Sequence, residues 1–400
     1  MADMPTGQLI RLYRLERRMS TVTAATHADI TARYLEMIEA GTKTPSIPTL
    51  RKLAKVLSVR TSALLGEPPS EDHEGDVNPR LAETERALFT YRSLALTERA
   101  TPPELPELAA RINSAWTDWF TSPRKYTDVL RVLPDLLIDA EYAVNAYGRT
   151  LEVCRYASEV YQLARPILKH VGRVDLGNLV SDRAMRYAEE TEDPLLIAAA
   201  TWNLGQSMLS DDMPQGALDI CLLGAEKLEP LLADGTPGHF AVYGGFHLVA
   251  AIAAGRLNDP WRARELLRGP ATRAASHIPD GRNDHHIVFG KANVGVHMAA
   301  VESEVGEVSE ALRIADDVDT LALPSLERRT THLYQIARCY DQRNNDAAVF
   351  VHLQMAEQLC PEDFLHKRMV RNMVSSLVKR ARPSYATEVR AFAGRIGLLN

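Results

Sequence analysis

The sequence predicts an all-α protein: a small basic N-terminal module of five short helices, followed by a long solenoid of helical hairpins. Three observations carry that expectation. Apolar residues recur at helical spacing along nearly the whole chain, and no run of alternating β-branched residues is long enough for a sheet. Polar turn segments also return at intervals of 46, 48 and 36 residues, the mark of stacked helical repeats. With 400 residues, 46% of them apolar and 24% charged, the chain has material for two or three folded domains and is no disordered tail.

The first 66 residues stand apart by charge. They hold ten Lys/Arg against five Asp/Glu, a net of +5, leaving 36 against 47, or −11, for the rest. A basic end on an acidic body suits phosphate binding by that end, because neutralising phosphates releases counterions. Within this module Leu9, Leu12 and Leu15 mark a first helix. Ser20 caps a second that begins at Thr21, and Thr31 caps a third running to about Ala40, where Gly41 ends it in a left-handed turn. Ser46 caps a fourth carrying Pro48 in its first turn, where the missing donor costs nothing, and a short fifth falls near Thr61 to Leu65. The segment "GEPPSEDHEGDVNP" has too few apolar residues to bury surface and reads as a linker. The expected division is 1–66, a linker at 67–80, and a body over 81–400.

Helices two and three are separated only by "HADI", the helix-turn-helix arrangement, in which the second helix of the pair enters the major groove by its N-terminal end. The stretch "ITARYLEMIEAGTKTPSIPTLRKLAKVLSV" resembles the Xre, or lambda-repressor-like, helix-turn-helix family over roughly residues 7 to 66. Departures from that family are Asp29 in place of the turn glycine, Thr21 in place of a phosphate-contacting glutamine, and Ala24 in place of a core leucine. Ala32, Arg33 and Glu36 lie on the exposed N-terminal side of the third helix. Arginine forks onto guanine, glutamate accepts from cytosine, and alanine meets the thymine methyl. Thr21, Lys43 and Arg51 flank that helix as expected phosphate contacts.

From about Leu81 the chain reads as amphipathic helices. "LSDDMPQGALDI", "GRLNDPWRAREL", "SEVGEVSEALRI" and "QRNNDAAVFVHL" each put a polar turn before a helix whose first turn carries Ala217, Ala263, Ala311 or Ala347. Such spacing suggests tetratricopeptide-like hairpins that bury their faces on one another. "WNLGQSM" and "ANVGVHM" echo one another at an offset of 90 residues, so Gly205 and Gly295 are expected where paired helices approach closely. The concave side of the solenoid is expected from the first helix of each pair. Asn203, His247, Asn293, His297 and Arg329 are its candidate polar groups, with Trp202, Phe246, Phe289 and Tyr334 as apolar walls, matching the usual pocket recipe.

"RNDHHIVFGKANVGVH", "LPSLERRTTHLYQIARCY" and "CPEDF" extend the resemblance to actinomycete Xre-type regulators with C-terminal tetratricopeptide repeats, some encoded near natural-product pathways. That resemblance implies a cytoplasmic DNA-binding regulator whose body senses a small metabolite or a peptide. A homodimer on an inverted-repeat operator is expected, since one module buries little surface. No frame for nucleotide chemistry, acyl transfer or a metal site is present, so neither catalytic residues nor cofactors are expected. The four cysteines lack CxxC spacing, no export signal opens the chain, and runs such as "LLIAAATW" are too short to span a bilayer. Two other function classes stay open on sequence: a tetratricopeptide interaction protein with a vestigial DNA module, and an enzyme recruited onto this scaffold.

Overall fold

The structure, a computed structural model, describes residues 4–65, 79–89, 101–279 and 281–399. Every regular element among these residues is helical. The expected linker lies outside them up to residue 78, and Pro79 and Arg80 already open a helix of the body.

The N-terminal module comprises α1 (Thr6–Glu16), α2 (Thr21–His27), α3 (Ala32–Glu39), α4 (Ile47–Leu57) and α5 (Thr61–Leu64). Its boundaries follow from local chemistry. The Ser20, Thr31 and Ser46 side chains accept from the backbone N–H of Thr23, Tyr34 and Thr49, each satisfying a donor that the helix start leaves unpaired. Gly41 takes φ +74° after α3, and Asp29 takes φ +54° in the turn between α2 and α3, a conformation that aspartate tolerates better than most residues. Ile10, Leu35, Ile38, Leu50, Leu53 and Leu57 fill the core. Leu15, expected inside, is 55% exposed: α1 turns Ile10 and Arg14 inward, and Arg14 forms a two-pronged ion pair with Glu39 at 2.6 and 2.7 Å.

The body opens with α6 (Pro79–Leu88), α7 (Leu105–Thr121) and α8 (Lys125–Tyr147). Antiparallel hairpins follow: α9 (Leu151–His170) with α10 (Val174–Glu189), α11 (Pro194–Ser210) with α12 (Pro214–Leu228), and α13 (Pro237–Arg256) with α14 (Pro260–Leu266). A π-turn over Leu267–Ala271, carrying Pro270, leads into α15 (Thr272–Ala275). Two more hairpins, α16 (Lys291–Val305) with α17 (Val308–Asp316) and α18 (Leu326–Gln342) with α19 (Asp346–Leu359), precede α20 (Asp363–His366), α21 (Arg368–Arg380) and α22 (Ala386–Arg395).

The polar turns recognised in the sequence are the hairpin corners, and each corner needs one left-handed residue. Gly172, Asp212, Asn258, Gly306 and Asn344 supply it, the residue types for which that conformation costs least. Ala217, Ala263 and Ala311 are buried where the second helix of a pair meets the first; Ala347 is exposed, and Val349 takes the inward position. A Cβ on Gly205 would lie 2.5 Å from Cys221 Sγ on α12, and one on Gly295 would lie 3.1 Å from Val318, so both glycines do mark close approach. Helix α13 is long and apolar enough to cross a bilayer, contrary to the expectation that no run is. Most of it is buried as the central helix of the body, under α11, α12 and α16.

The first and last layers of the body meet. Glu362 accepts from the Tyr126 N–H at 2.9 Å at the start of α8, and Cys360 Sγ donates to the Pro123 carbonyl. Behind them Asp363 sits fully buried among five partners. Lys125 and Lys367 pair with it at 3.1 and 3.3 Å, and the hydroxyls of Tyr126, Thr330 and Tyr334 donate to it. The two ammonium groups hold its carboxyl well below the usual range against the opposing effect of burial.

Candidate functional site

Arg33 and Glu36 are exposed on α3, and Ala32 beside them is partly so. Their placement follows from the period of the helix: Leu35 and Ile38 face the core, which leaves 32, 33 and 36 on the opposite side. Thr21, at the start of α2, and Lys43, after α3, are both partly exposed beside them. Asp29 accepts from Lys52 at 3.0 Å, tying the turn to α4.

Arg51 is engaged elsewhere. Its guanidinium donates to the Gly255 carbonyl at 3.1 Å and pairs with Glu304 on α16, so the α4 side of the module faces the body. The same side is held at four further points. Thr44 donates to Asp341 at 2.6 Å, where Arg380 also reaches, and Asn372 donates to the Leu65 carbonyl at 2.8 Å. Asp212 accepts from the Thr61 N–H and Asp211 pairs with Arg60. In the described arrangement Arg51 is therefore held by a carboxylate of the acidic body.

The nine residues expected on the concave side divide into two groups. Trp202, Phe289 and Asn293 converge on one seam. The Trp202 indole donates to the Gly245 carbonyl on α13, Phe289 lies over Gly244, and Asn293 Nδ2 donates to the Val288 carbonyl at 2.5 Å. Buried polar atoms are left over nearby: Oδ1 of Asn203, Oδ1 of Asn293 and both ring nitrogens of His247 have no hydrogen-bond partner. His297 Nδ1 contacts the Asn293 carbonyl at 2.8 Å. The other three lie apart. Phe246 is fully buried against Gly224 of α12, on the far side of α13, and Tyr334 belongs to the Asp363 cluster. Arg329 ties down the carbonyls of Leu321 and Leu323. These three residues hold the scaffold.

Sequence reasoning missed the α9 wall and α7. Arg165 has a buried Nε without a partner, Arg155 Nε pairs with the Glu159 carboxylate at 4.0 Å, and burial pushes the Glu159 carboxyl up to about 7 against that positive charge. The charges of Arg328 and Glu327 on α18 bear on both Arg165 and His297, so α9, α16 and α18 turn charged groups toward a common interior. The signal was an arginine or glutamate at helical spacing on an otherwise apolar α9 face, which is equally the pattern of a solvated edge. Among the described residues no three His, Cys, Asp or Glu gather as a metal site, and the four cysteines are buried and free.

The helix-turn-helix family model matches residues 10–64. Over 64 residues the chain is 38% identical to the immunity repressor protein of Bacillus phage phi105, covering 16% of this chain and 44% of that one. Over 85 residues it is 33% identical to the HTH-type transcriptional regulator SinR of Bacillus subtilis (strain 168), covering 21% of this chain and 77% of that one. The chain belongs to the helix-turn-helix family. A structure of a Rap protein complexed with competence and sporulation factor aligns over 92% of this chain and 99% of that one, at 14% identity and a TM-score of 0.41.

The two buried histidines of this seam give a test by pH. Burial lowers His247 and His297 to about 4, with the charges of Arg273 and Arg328 adding to the effect. A histidine free in the unfolded chain titrates near 6.5. Between those values the unfolded state binds more protons than the folded one, so stability that is full above about pH 6.5 is lost as pH falls toward about 4. Urea midpoints are expected to drop over that window, and a His247→Gln, His297→Gln double variant is expected to flatten the profile.

Proposed function

We propose that this chain is a ligand-responsive transcription regulator: a helix-turn-helix module that binds double-stranded DNA, joined to a tetratricopeptide-like body that senses a small metabolite or peptide. The observation that carries this reading is the division of the module into two faces. α3 presents Arg33 and Glu36 to solvent, while Arg51 on the neighbouring α4 is held by Glu304 of the body.

Arg33, Glu36 and Ala32 read base edges in the major groove, and Thr21 and Lys43 fix the register on phosphates. Arg51 joins them when the body lets the module go. Two modules about one duplex turn apart on an inverted repeat supply the contact that one lacks, so the working form is a cytoplasmic homodimer. In this reading a DNA-binding module within 1–66 changes how it docks on a sensing body that begins at Pro79. A ligand that opens the seam around Asn203, His247, Asn293 and His297 shifts that balance if it prefers the released arrangement, and a coupling of about 1 to 3 kcal/mol suffices. The architecture is that of actinomycete Xre-type regulators, and it acts by binding, with no catalytic step.

Footprinting on the DNA upstream of the protein's own gene tests the reading. Arg33→Ala is expected to cost about 1 to 3 kcal/mol and to relax base preference at one position of each half-site, whereas Lys43→Ala weakens all sequences alike and lowers the salt slope by about one unit. No protected inverted repeat at low salt, or identical behaviour of the two variants, overturns it.

A further inference from the structure

The segment between α15 and α16 is built as a plug. Arg282 and Asp284 form a two-pronged ion pair, and Asn283 Oδ1 accepts from the Val288 N–H at 2.8 Å. His285, His286 and Val288 take φ of +49°, +61° and +54°. Left-handed backbone is a genuine outlier for a β-branched residue, and such strain persists only where the surroundings hold it. α13 provides the seat: Gly238, Gly244 and Gly245 leave room for His285, Phe289 and Ile287, and a Cβ on Gly244 would lie 1.9 Å from the Phe289 ring. The strained loop is therefore docked by design into the interior of the body.

What the plug covers is a ring platform on α7. The His286 imidazole lies 3.9 Å from the Trp116 ring, centroid to centroid and within 5° of parallel, and Phe120 flanks both rings, 5.5 Å from Trp116 and 6.1 Å from His286. His286 is only half-buried and keeps solvent contact. The contact is geometrically good and chemically incomplete. Trp116 Nε1 is buried without a partner, and Nε of Arg155, whose charge bears on the adjacent His285, has no hydrogen bond and only a long ion pair with Glu159 at 4.0 Å. A purely structural contact has reason to satisfy such donors, since buried unpaired donors are costly. A placeholder leaves them for what replaces it.

We infer that the Trp116 platform is the ring-binding part of the sensor site, that His286 fills it in the free protein, and that a planar aromatic acid displaces His286, stacking on Trp116 and offering its carboxylate oxygens to the Arg155 guanidinium in place of the long pair with Glu159. The inference rests on the sensing role proposed above for the body and adds the class of ligand. Displacement frees the strained loop, which reaches from the α13 seat to α7, so occupancy of the platform is felt on both sides of the body.

The test uses the full chain, with 2-naphthoate as the probe and 2-naphthamide as its uncharged counterpart, and binding is read by calorimetry without DNA. A plug that is mostly closed lowers apparent affinity by the open fraction, so His286→Ala is expected to bind 2-naphthoate about tenfold or more tighter than wild type. His286→Phe, which keeps the stack, is expected to bind more weakly than wild type, and Trp116→Ala to lose binding. Arg155→Gln is expected to remove the preference for 2-naphthoate over the amide. In wild type saturated with 2-naphthoate, amide exchange at Val288 is expected to accelerate as its bond to Asn283 is released. Equal affinity of wild type, His286→Ala and His286→Phe, or unchanged exchange at Val288 with probe bound, overturns the inference. Because no DNA is present, these outcomes are independent of operator binding, and a failure of the footprint leaves them standing.

Discussion

Replacing Asp363 with alanine is expected to lower the unfolding free energy by about 3 to 5 kcal/mol, the range for breaking a buried ion pair by removing one partner. The reason is what remains. Lys125 is fully buried, and its other close neighbours are the ring faces of Trp119 and Tyr126, each 5.3 Å away. Without Asp363 the ammonium loses its ion-pair partner and keeps only the more distant charge of Glu327, and three hydroxyls lose their acceptor. Lys125→Met is expected to cost far less: Asp363 keeps Lys367 and the three hydroxyls, and the methionine fills the vacated stem. Urea titrations of the two variants give the comparison. Equal destabilisation would mean that the pair contributes by packing alone. The clasp joins the first and last layers of the body, so Asp363→Ala is also expected to loosen the interior that α9 and α18 face.

The second large effect is on DNA affinity, and its sign is unusual. Glu304→Gln together with Asn372→Ala is expected to tighten operator binding about 10- to 100-fold, because one lost charge-assisted bond and one neutral bond weaken docking by about 2 to 4 kcal/mol gross. Both residues lie on the body, at the contacts with Arg51 and the Leu65 carbonyl, so nothing that touches DNA is altered. Gel-shift titration of the double variant beside wild type reads the change. An affinity equal to or below wild type would mean that the docked arrangement does not restrain the module.

Local chemistry made much of the fold legible. Caps at Ser20, Thr31 and Ser46 depend on side chains within three residues of the donors they satisfy, and the hairpin corners depend on a single Gly, Asn or Asp. Periodicity likewise separated Arg33 and Glu36 from Leu35 and Ile38. It could not say which buried side of a helix a residue serves. In "YGGFHLV" Phe246 turns to α12 while its neighbour His247 keeps unpaired nitrogens, and both read alike on a helix buried all round. Nor could spacing reveal that Arg51 meets Glu304 across 253 residues, or that His286 crosses the body to Trp116. The blocks "LERRTTHLY" and "CPEDF" carried the family resemblance. In the structure Thr330, Tyr334, Glu362 and Asp363 from them build the clasp, so the likeness marked a structural joint.

In the proposed mechanism the body and DNA compete for one side of the helix-turn-helix module. Hydrogen exchange on the full chain, with and without operator DNA at low salt, tests it most directly. DNA is expected to slow exchange at the start of α3 and through residues 43–51, while amides at the docking points on the body, around Glu304, Asp341 and Asn372, exchange faster as the module leaves. Protection of α3 with undiminished protection at those body sites would contradict it.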